Sequence, residues 1–284
     1  LITLHGNVMT MTANIEIICV GNELLIGKTM NTNAQWLSKQ ATLLGVTVKR
    51  VTVVSDDVAE IAAATQEALK RKPQFIITTG GLGPTFDDKT LEGVAKALNR
   101  KLEVNPEALN MVKEKYEAYA TKLHKQTLEL TQPRIKMATL PEKAQPIRNP
   151  VGTAPAVQAH IDGTTLIVLP GVPKEMEAIF EESVAPLLKQ ASGNKVYHER
   201  SIYVDDIMES GLAPLIDRVM QDNSGVYVKS HPKGEENKPH IEIHLSTTVT
   251  DGEKPEEKLQ KAITQLSELI GKVGGKVFTN ENRT

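Results

Sequence analysis

Cysteine is almost absent from this chain: its 284 residues include one, Cys19. A single thiol excludes an internal disulfide and any cysteine-cluster zinc site. It fits a reducing, cytoplasmic setting. Cys19 lies in an apolar run, so a buried strand thiol is expected. An excess of charge of one sign is lacking too. The 33 Lys+Arg and 35 Asp+Glu leave a net charge of −2. Tight, nonspecific duplex binding needs many cationic phosphate contacts, so no nucleic-acid partner is expected. Long apolar runs are also missing. No stretch approaches the roughly 18 residues of a membrane-spanning helix, so no membrane partner is expected. Leu1 to Asn14 has no Lys or Arg and no long apolar core, so no secretory signal is expected in it. Met9 or Met11 is the expected start, and residues 1–14 read as an arm outside the fold.

What is present is ordinary globular material. Hydrophobic residues make up 40% and charged residues 24%, close to soluble-domain averages. The length suggests about two domains. Strand and helix patterns alternate from residue 15. Ile15–Val20, Val46–Val54 and Phe75–Thr79 read as strands. Asn33–Leu44, Val58–Leu69 and Asp88–Leu98 read as helices, with Asp56 and Asp57 placed to cap the second. This is the pattern of an open, largely parallel α/β sheet. Residues 106–131 read as a helix opened by Pro106. Five prolines between Gln132 and Pro155 predict mostly loop. Asp162-Gly163 marks a hairpin between 156–161 and 165–169. An amphipathic helix over 173–190 and a linker at 191–194 complete the first domain, 15–192. Residues 195–284 read as a small α+β domain of order strand, helix, strand, strand, helix. The first 192 residues carry 21 basic and 20 acidic residues, and the remainder 12 and 15.

The densest chemical feature is Thr79-Gly80-Gly81-Leu82-Gly83-Pro84-Thr85-Phe86-Asp87-Asp88, between a predicted parallel strand and a helix. Ligands bind at that edge of open α/β sheets. Three glycines and a helix start suit a phosphate. A tight turn capped by Asp87 or Asp88 would explain the same residues. Two adjacent carboxylates beside a phosphate nest point instead to a divalent metal held by Asp87 and Asp88 together with substrate phosphate. A second loop, Gly21-Asn22-Glu23-Leu24-Leu25 with Asn31 and Asn33, shares that edge. Glu23 would face the phosphate, unless it or Asn33 caps a helix. Two further Gly/Pro loops run over Asn149-Pro150-Val151-Gly152-Thr153-Ala154-Pro155 and Leu169-Pro170-Gly171-Val172-Pro173-Lys174-Glu175-Met176. Singly, each is an ordinary turn.

Together, the four loops resemble the CinA family (competence/damage-inducible proteins). Its amino-terminal part is similar to the molybdopterin-binding domain of the MoaB, MogA, MoeA and gephyrin group. The resemblance covers residues 15–190. It implies a three-layer molybdopterin-binding fold with a mostly parallel sheet, followed over 195–272 by a small KH-type α+β module. It implies hydrolysis of ADP-ribose- or FAD-like pyrophosphates, assisted by Mg²⁺ or Co²⁺ and by potassium. The other reading is a protein that binds molybdopterin or a nucleotide without cleaving it. The implied site is Asp87, Asp88 and Glu23 for catalysis, with Asp87 and Asp88 on the metal. Gly80, Gly81, Leu82, Gly83, Thr85, Asn31, Asn33, Asn149, Gly152, Thr153, Gly171 and Glu175 would bind the ligand. A homo-oligomer is expected by the same analogy. Ala156 and Lys143 depart from glycine-containing family turns. The carboxyl-terminal deamidase domain of many CinA proteins is expected to be missing.

Other candidates compete weakly. His240, Glu242 and His244 alternate on one predicted strand and share a face; a solvated sheet face is the plainer reading. Gly271-Lys272-Val273-Gly274 spells the GXXG of KH modules, and a glycine helix end explains it equally. No histidine lies in the four loops and no Ser-His-Asp order is visible. Water, rather than a protein nucleophile, is therefore the expected attacking group.

Overall fold

The computed structural model describes residues 13–122, 129–234, 240–250 and 252–279. The chain divides into two compact units: the first runs to Ser192, and the second comprises the residues from Gly193 onward together with Leu43–Gly45. The first begins with β1 (Asn14–Val20), α1 (Asn22–Leu25), α2 (Thr32–Leu43) and β2 (Thr47–Val54). Next come α3 (Val58–Lys70), β3 (Phe75–Thr79), α4 (Thr90–Ala97) and β4 (Leu102–Val104). They are followed by α5 (Pro106–Lys122), α6 (Gln132–Lys136), β5 (Thr139–Pro141) and β6 (Gln145–Ile147). The unit closes with β7 (Ala156–Ile161), β8 (Thr164–Leu169), α7 (Pro173–Ile179), a π-helical turn (Phe180–Val184) and α8 (Ala185–Ala191).

Six strands form one sheet in the order β2-β1-β3-β8-β7-β6. β2, β1, β3 and β8 are mutually parallel, while β7 and β6 add an antiparallel edge. From β1 the chain moves one way to β2, then back past β1 to β3. The switch point of the sheet therefore lies between β1 and β3, where open α/β sheets bind ligands beyond the strand ends. β3 is Phe-Ile-Ile-Thr-Thr and is buried throughout, as expected for a central parallel strand covered on both faces. β2, at the edge, exposes Lys49 and Arg50, charges that discourage further strand pairing. Glu16 on β1 is buried and is held bidentately by Arg71 at 2.8 and 2.7 Å.

Several expectations need adjusting. Residues 1–12 of the expected arm lie outside the described residues, and Asn14 is already part of β1. Ala13 is buried, and its carbonyl accepts from Thr47 N at 2.8 Å. The helix expected over 106–131 is described from Pro106 to Lys122; 123–128 lie outside the described residues, and 129–131 are not helical. The predicted loop 132–155 contains α6, β5 and β6, with β5 pairing antiparallel to β4. The helix over 173–190 is interrupted by the π turn, in which Ala185 N–H donates to Phe180 O. Pro186 follows directly, and it has no N–H with which to continue a regular ladder. Lys143 adopts φ 65°, so it keeps the left-handed backbone for which a glycine would be usual.

The second unit comprises β9 (Val196–Asp205), α9 (Glu209–Asp222), β10 (Val226–Pro232), β11 (His240–Val249), α10 (Pro255–Lys272) and β12 (Lys276–Phe278). Its sheet runs β10-β11-β9-β12, with every pair antiparallel. This is the split β-α-β arrangement. Ile202, Val204, Ile241, Ile243 and Leu245 alternate on the buried face and pack with Leu212, Val219, Leu259 and Leu266 of the helices. The strand β12 was not expected. Gly271 to Gly274 close α10 before that strand, with Gly274 at φ 87°. Residues 280–284 lie outside the described residues. Among the described residues no helix is long and apolar enough to cross a membrane.

Candidate functional site

The loops after β1 and β3 meet at the switch point, and the turn after β8 joins them. They enclose a cavity of about 250 Å³ whose lining includes Glu23, Asn31, Asn33, Asp56, Asp87 and Gly171. Asn31 accepts from Ala34 N at 3.1 Å, so it, and not Asn33, caps α2. Asn33 instead ties three elements together. Its Nδ2 donates to Thr79 Oγ1 at 3.0 Å and to Gly171 O at 2.9 Å, and Thr79 Oγ1 donates to Pro170 O at 2.8 Å. Asn33 Oδ1 is buried and has no hydrogen-bond partner among the described residues. A buried acceptor left open costs about 1–3 kcal/mol, which marks a place that a donor on a ligand would fill. Cys19 also lines this cavity, and burial pushes its thiol pKa up.

Asp56 is the residue that sequence reasoning passed over. It was grouped with Asp57 as a helix cap, yet only Asp57 accepts from Ala59 N and Glu60 N, at 2.7 and 3.1 Å. Asp56 accepts from Asn22 N at 2.8 Å, which joins the β2 and β1 loops, and it lines the cavity. The signal was the adjacent pair itself, because one cap needs one carboxylate.

The Gly-rich turn is held as a close approach of backbone to backbone. Gly80 has φ 113°, and a Cβ there would stand 2.2 Å from Val20 O. Its N–H donates to Leu169 O at 3.1 Å, and Thr90 Oγ1 donates to Gly80 O at 2.8 Å. Gly80 N–H is therefore committed to the fold and is not a phosphate donor. Among the described residues, the N–H groups of Gly81, Leu82 and Gly83 carry no such bond. Asp87 and Asp88 do not cap α4, whose N-cap is Lys89. Both carboxylates approach Thr85 Oγ1 at 2.5 Å, and Asp88 also accepts from Thr85 N at 2.8 Å. One hydroxyl has one proton, so it satisfies one of the two carboxylates. The Thr85 hydroxyl holds Asp87 below its ordinary pKa; the charges of Lys136 and Lys89 act the same way, less strongly. Lys136 Nζ donates to Thr85 O at 2.5 Å.

A second cavity, of about 310 Å³, lies against the same turn. Gly81 lines both; Asp87 lines the first and Asp88 the second. The second has Leu91, Leu102, Val104 and Ile135 as apolar walls. Half of its lining comes from α6 and the β4–β5 ribbon, short elements with little local sequence signal.

The third loop is bonded within itself and to Glu175. Asn149 is buried, and its Nδ2 donates to Ala154 O at 2.9 Å and Glu175 Oε2 at 2.7 Å. Its Oδ1 accepts from Val151 N at 3.1 Å and Gly152 N at 2.7 Å. All four of its bonds are thus internal to the protein. A Cβ on Gly152 would meet Glu175 Oε2 at 1.9 Å. Lys115 Nζ donates to Pro150 O at 2.9 Å, and its pKa is lowered by burial first and by Arg148 second. Asn149, Gly152, Thr153 and Glu175 line neither cavity. Of the fourth loop, Gly171 and Pro173 reach the first cavity.

In the second unit the candidate face is internally paired. His240 Nδ1 lies 2.7 Å from Asp205, and His244 Nε2 lies 2.9 Å from Glu199. Glu242 accepts from Ser201 at 2.7 Å and pairs with Lys233 at 2.9 Å. Among the described residues no three His, Cys, Asp or Glu side chains lie close enough to hold a metal ion unaided.

Residues 16–190 match a protein-family model described as "Probable molybdopterin binding domain". A protein of Sulfurisphaera tokodaii is 43% identical over 264 residues, which is 93% of this chain and 97% of the relative. One from Caldivirga maquilingensis is 47% identical over 252 residues, covering 88% and 94%. The crystal structure of "the protein CinA with unknown function" from Thermoplasma acidophilum is 43% identical. It covers 62% of this chain and 98% of that one, with a TM-score of 0.56. The four loops, the switch-point cavity and these likenesses coincide on one stretch: the chain belongs to the molybdopterin-binding-domain family, and carries that domain in a CinA-like form.

Proposed function

We propose that this protein binds a nucleotide-type pyrophosphate at the switch-point edge and hydrolyses it, with ADP-ribose- or FAD-like compounds as substrates. The observation that carries this reading is the shared lining of one cavity by Glu23, Asp56, Asp87, Asn33 and the Gly80–Gly81 backbone. The N–H groups of Gly81, Leu82 and Gly83 would hold the phosphates, and Asn33 Oδ1 would accept from a ligand hydroxyl.

Thr85 Oγ1, Asp87 Oδ1 and Asp88 Oδ2 form an all-oxygen set short of one proton. Such a set suits a hard cation whose remaining ligands are water and substrate phosphate. A divalent ion bound there lowers the pKa of water and neutralises developing charge. The chain's own carboxylates, Glu23 and Asp56, are its candidates for taking the proton of the attacking water. The water oxygen bonds to phosphorus as the bridging P–O bond breaks, so that ADP-ribose gives AMP and ribose 5-phosphate.

The second reading is binding without hydrolysis, of molybdopterin or a nucleotide. It draws on the same cradle, because the N–H groups of Gly81, Leu82 and Gly83 and the open Asn33 Oδ1 would hold a ligand whether or not it is cleaved. The deciding experiment offers ADP-ribose, FAD and NAD with Mg²⁺ or Co²⁺, with and without potassium, and follows AMP by chromatography. AMP should form, and Asp87→Asn or Asp88→Asn should lower its rate by at least about 100-fold while the melting temperature holds. Saturable binding with no AMP from any substrate would assign the protein to the binding class.

A further inference from the structure

The second unit carries a surface that the chemistry above does not use. Its helices α9 and α10 both pack on one face of the four-stranded sheet. The opposite face gathers rings. Residues directly opposed across strands share a face, and the register puts His231, Glu242, Tyr203 and Phe278 in one row across all four strands. Alternation along the strands adds Tyr197, Tyr227, His240 and His244. Three of the chain's five tyrosines and three of its seven histidines thus share this face, more than a plain solvated sheet requires. Tyr203 and His240, on the two central strands, lie nearly parallel, 8° between planes, with centroids 5.7 Å apart. His231 meets His244 edge-on at 6.4 Å.

The carboxylates on this face are already engaged. Asp205 holds His240, Glu199 holds His244, and Glu242 takes Ser201 and Lys233. These bonds fix the edges of the imidazoles and use up the negative charge, while ring faces remain for stacking. Basic residues line one margin: Lys229 and His231 are exposed on the edge strand β10, and Lys233 follows it. A cationic margin beside stacked rings is how proteins hold an unpaired strand, with phosphates along the cations and bases on the rings. Four-stranded sheets with rings on their surface read RNA in this way. The chain's near-neutral charge speaks against duplex binding, which runs on phosphate contacts; stacking has no such need.

We propose that this sheet face binds single-stranded nucleic acid. Bases would stack at the Tyr203–His240 pair and its neighbours, and the phosphates would follow the Lys229 edge. The Gly271–Gly274 turn takes no part, and the proposal does not depend on the pyrophosphate reading.

The test is fluorescence anisotropy on the full chain with labelled single strands of about eight nucleotides, as RNA and as DNA. A duplex of the same sequence and an abasic strand of the same length serve as controls. Single strands should bind at micromolar concentrations, and duplex and abasic strand at least about tenfold more weakly. Tyr203→Val, which keeps a strand former, should weaken the single strands about tenfold. Tyr227→Ser, at a position 58% exposed, should weaken them about threefold with the melting temperature holding. Lys229→Gln should make the salt dependence shallower. If Tyr203→Val does not fold, Tyr227→Ser and Lys229→Gln decide. The proposal is overturned by wild-type chain that binds no single strand, by an abasic strand that binds as tightly, or by affinity unaltered in the variants. A strand displaced by ADP-ribose yet indifferent to Tyr227→Ser is held at the switch-point edge, which also overturns it. So does a dimer seen in sedimentation that Tyr227→Ser abolishes while no strand binds, since the face then belongs to a second copy.

Discussion

The two units treat their polar residues in opposite ways. On the open face of the second unit's sheet, His240, Glu242 and His244 each have a partner within 3 Å. At the edge of the first unit's sheet, Asn33 Oδ1 has none, and two carboxylates compete for the proton of Thr85. By residue type, both regions look like metal or catalytic clusters. What separates them is satisfaction: a paired network stabilises its own fold, whereas an open one is completed by something else.

The sharpest way to break this contrast is at the glycines. Gly80→Ala should prevent the first unit from folding, because the new Cβ would stand 2.2 Å from Val20 O at φ 113°. Gly225→Ala in the second unit has the same unfavourable sign of φ, +83°, but nothing within 4 Å. It should cost about 1 kcal/mol. Soluble yield and denaturant midpoints compare the two, and a folded Gly80→Ala protein would remove the argument for a forced close approach.

Ion pairs sharpen the contrast at smaller scale. Arg71→Met strands Glu16, whose side chain is 5% exposed. It should cost about 3 kcal/mol. Arg200→Met removes a pair whose side chains are 49% and 59% exposed. It should cost less than about 1 kcal/mol. Equal losses in urea melts would contradict the burial difference.

Titration gives a subtler comparison. Asp87 is depressed chiefly by the Thr85 hydroxyl. Its ionised form therefore persists as pH falls below the ordinary value of about 3.9 and is lost only as pH passes the lower, folded value. Thr85→Val should move that midpoint upward, which NMR titration of the Asp87 carboxyl would read directly. No movement would exclude the hydroxyl as the cause. The smallest effect belongs to the paired face. His244→Gln should leave AMP release within about twofold of wild type, and a large loss would bring that face into the chemistry.

Much of this architecture was legible in the residues. β1, β3 and the hairpin around Asp162-Gly163 follow their apolar patterns to within a residue or two, because central strands are buried on both faces and hairpins carry their turn in two residues. The Gly-rich turn was legible for the same local reason. The short elements were not. β4, β5 and β12 are three residues each, too few to show a period. Their pairing partners are distant in sequence, so the second cavity, built on β4 and α6, had no local signature. The buried Glu16 was hidden because its partner Arg71 lies 55 residues away. Asn149 shows the converse. Its loop matched a family pattern, and the side chain is fully spent within the protein.

One packing contact has a practical consequence. Trp36 is the chain's only tryptophan, and it meets Phe180 edge-on with ring centroids 5.1 Å apart. It stands one turn along α2 from Asn33. A shift of α2 as Asn33 engages a ligand would change the surroundings of a single indole, against four phenylalanines and five tyrosines elsewhere. The molecule thus carries a built-in fluorescent reporter beside its ligand edge, readable without labels in a stopped-flow instrument.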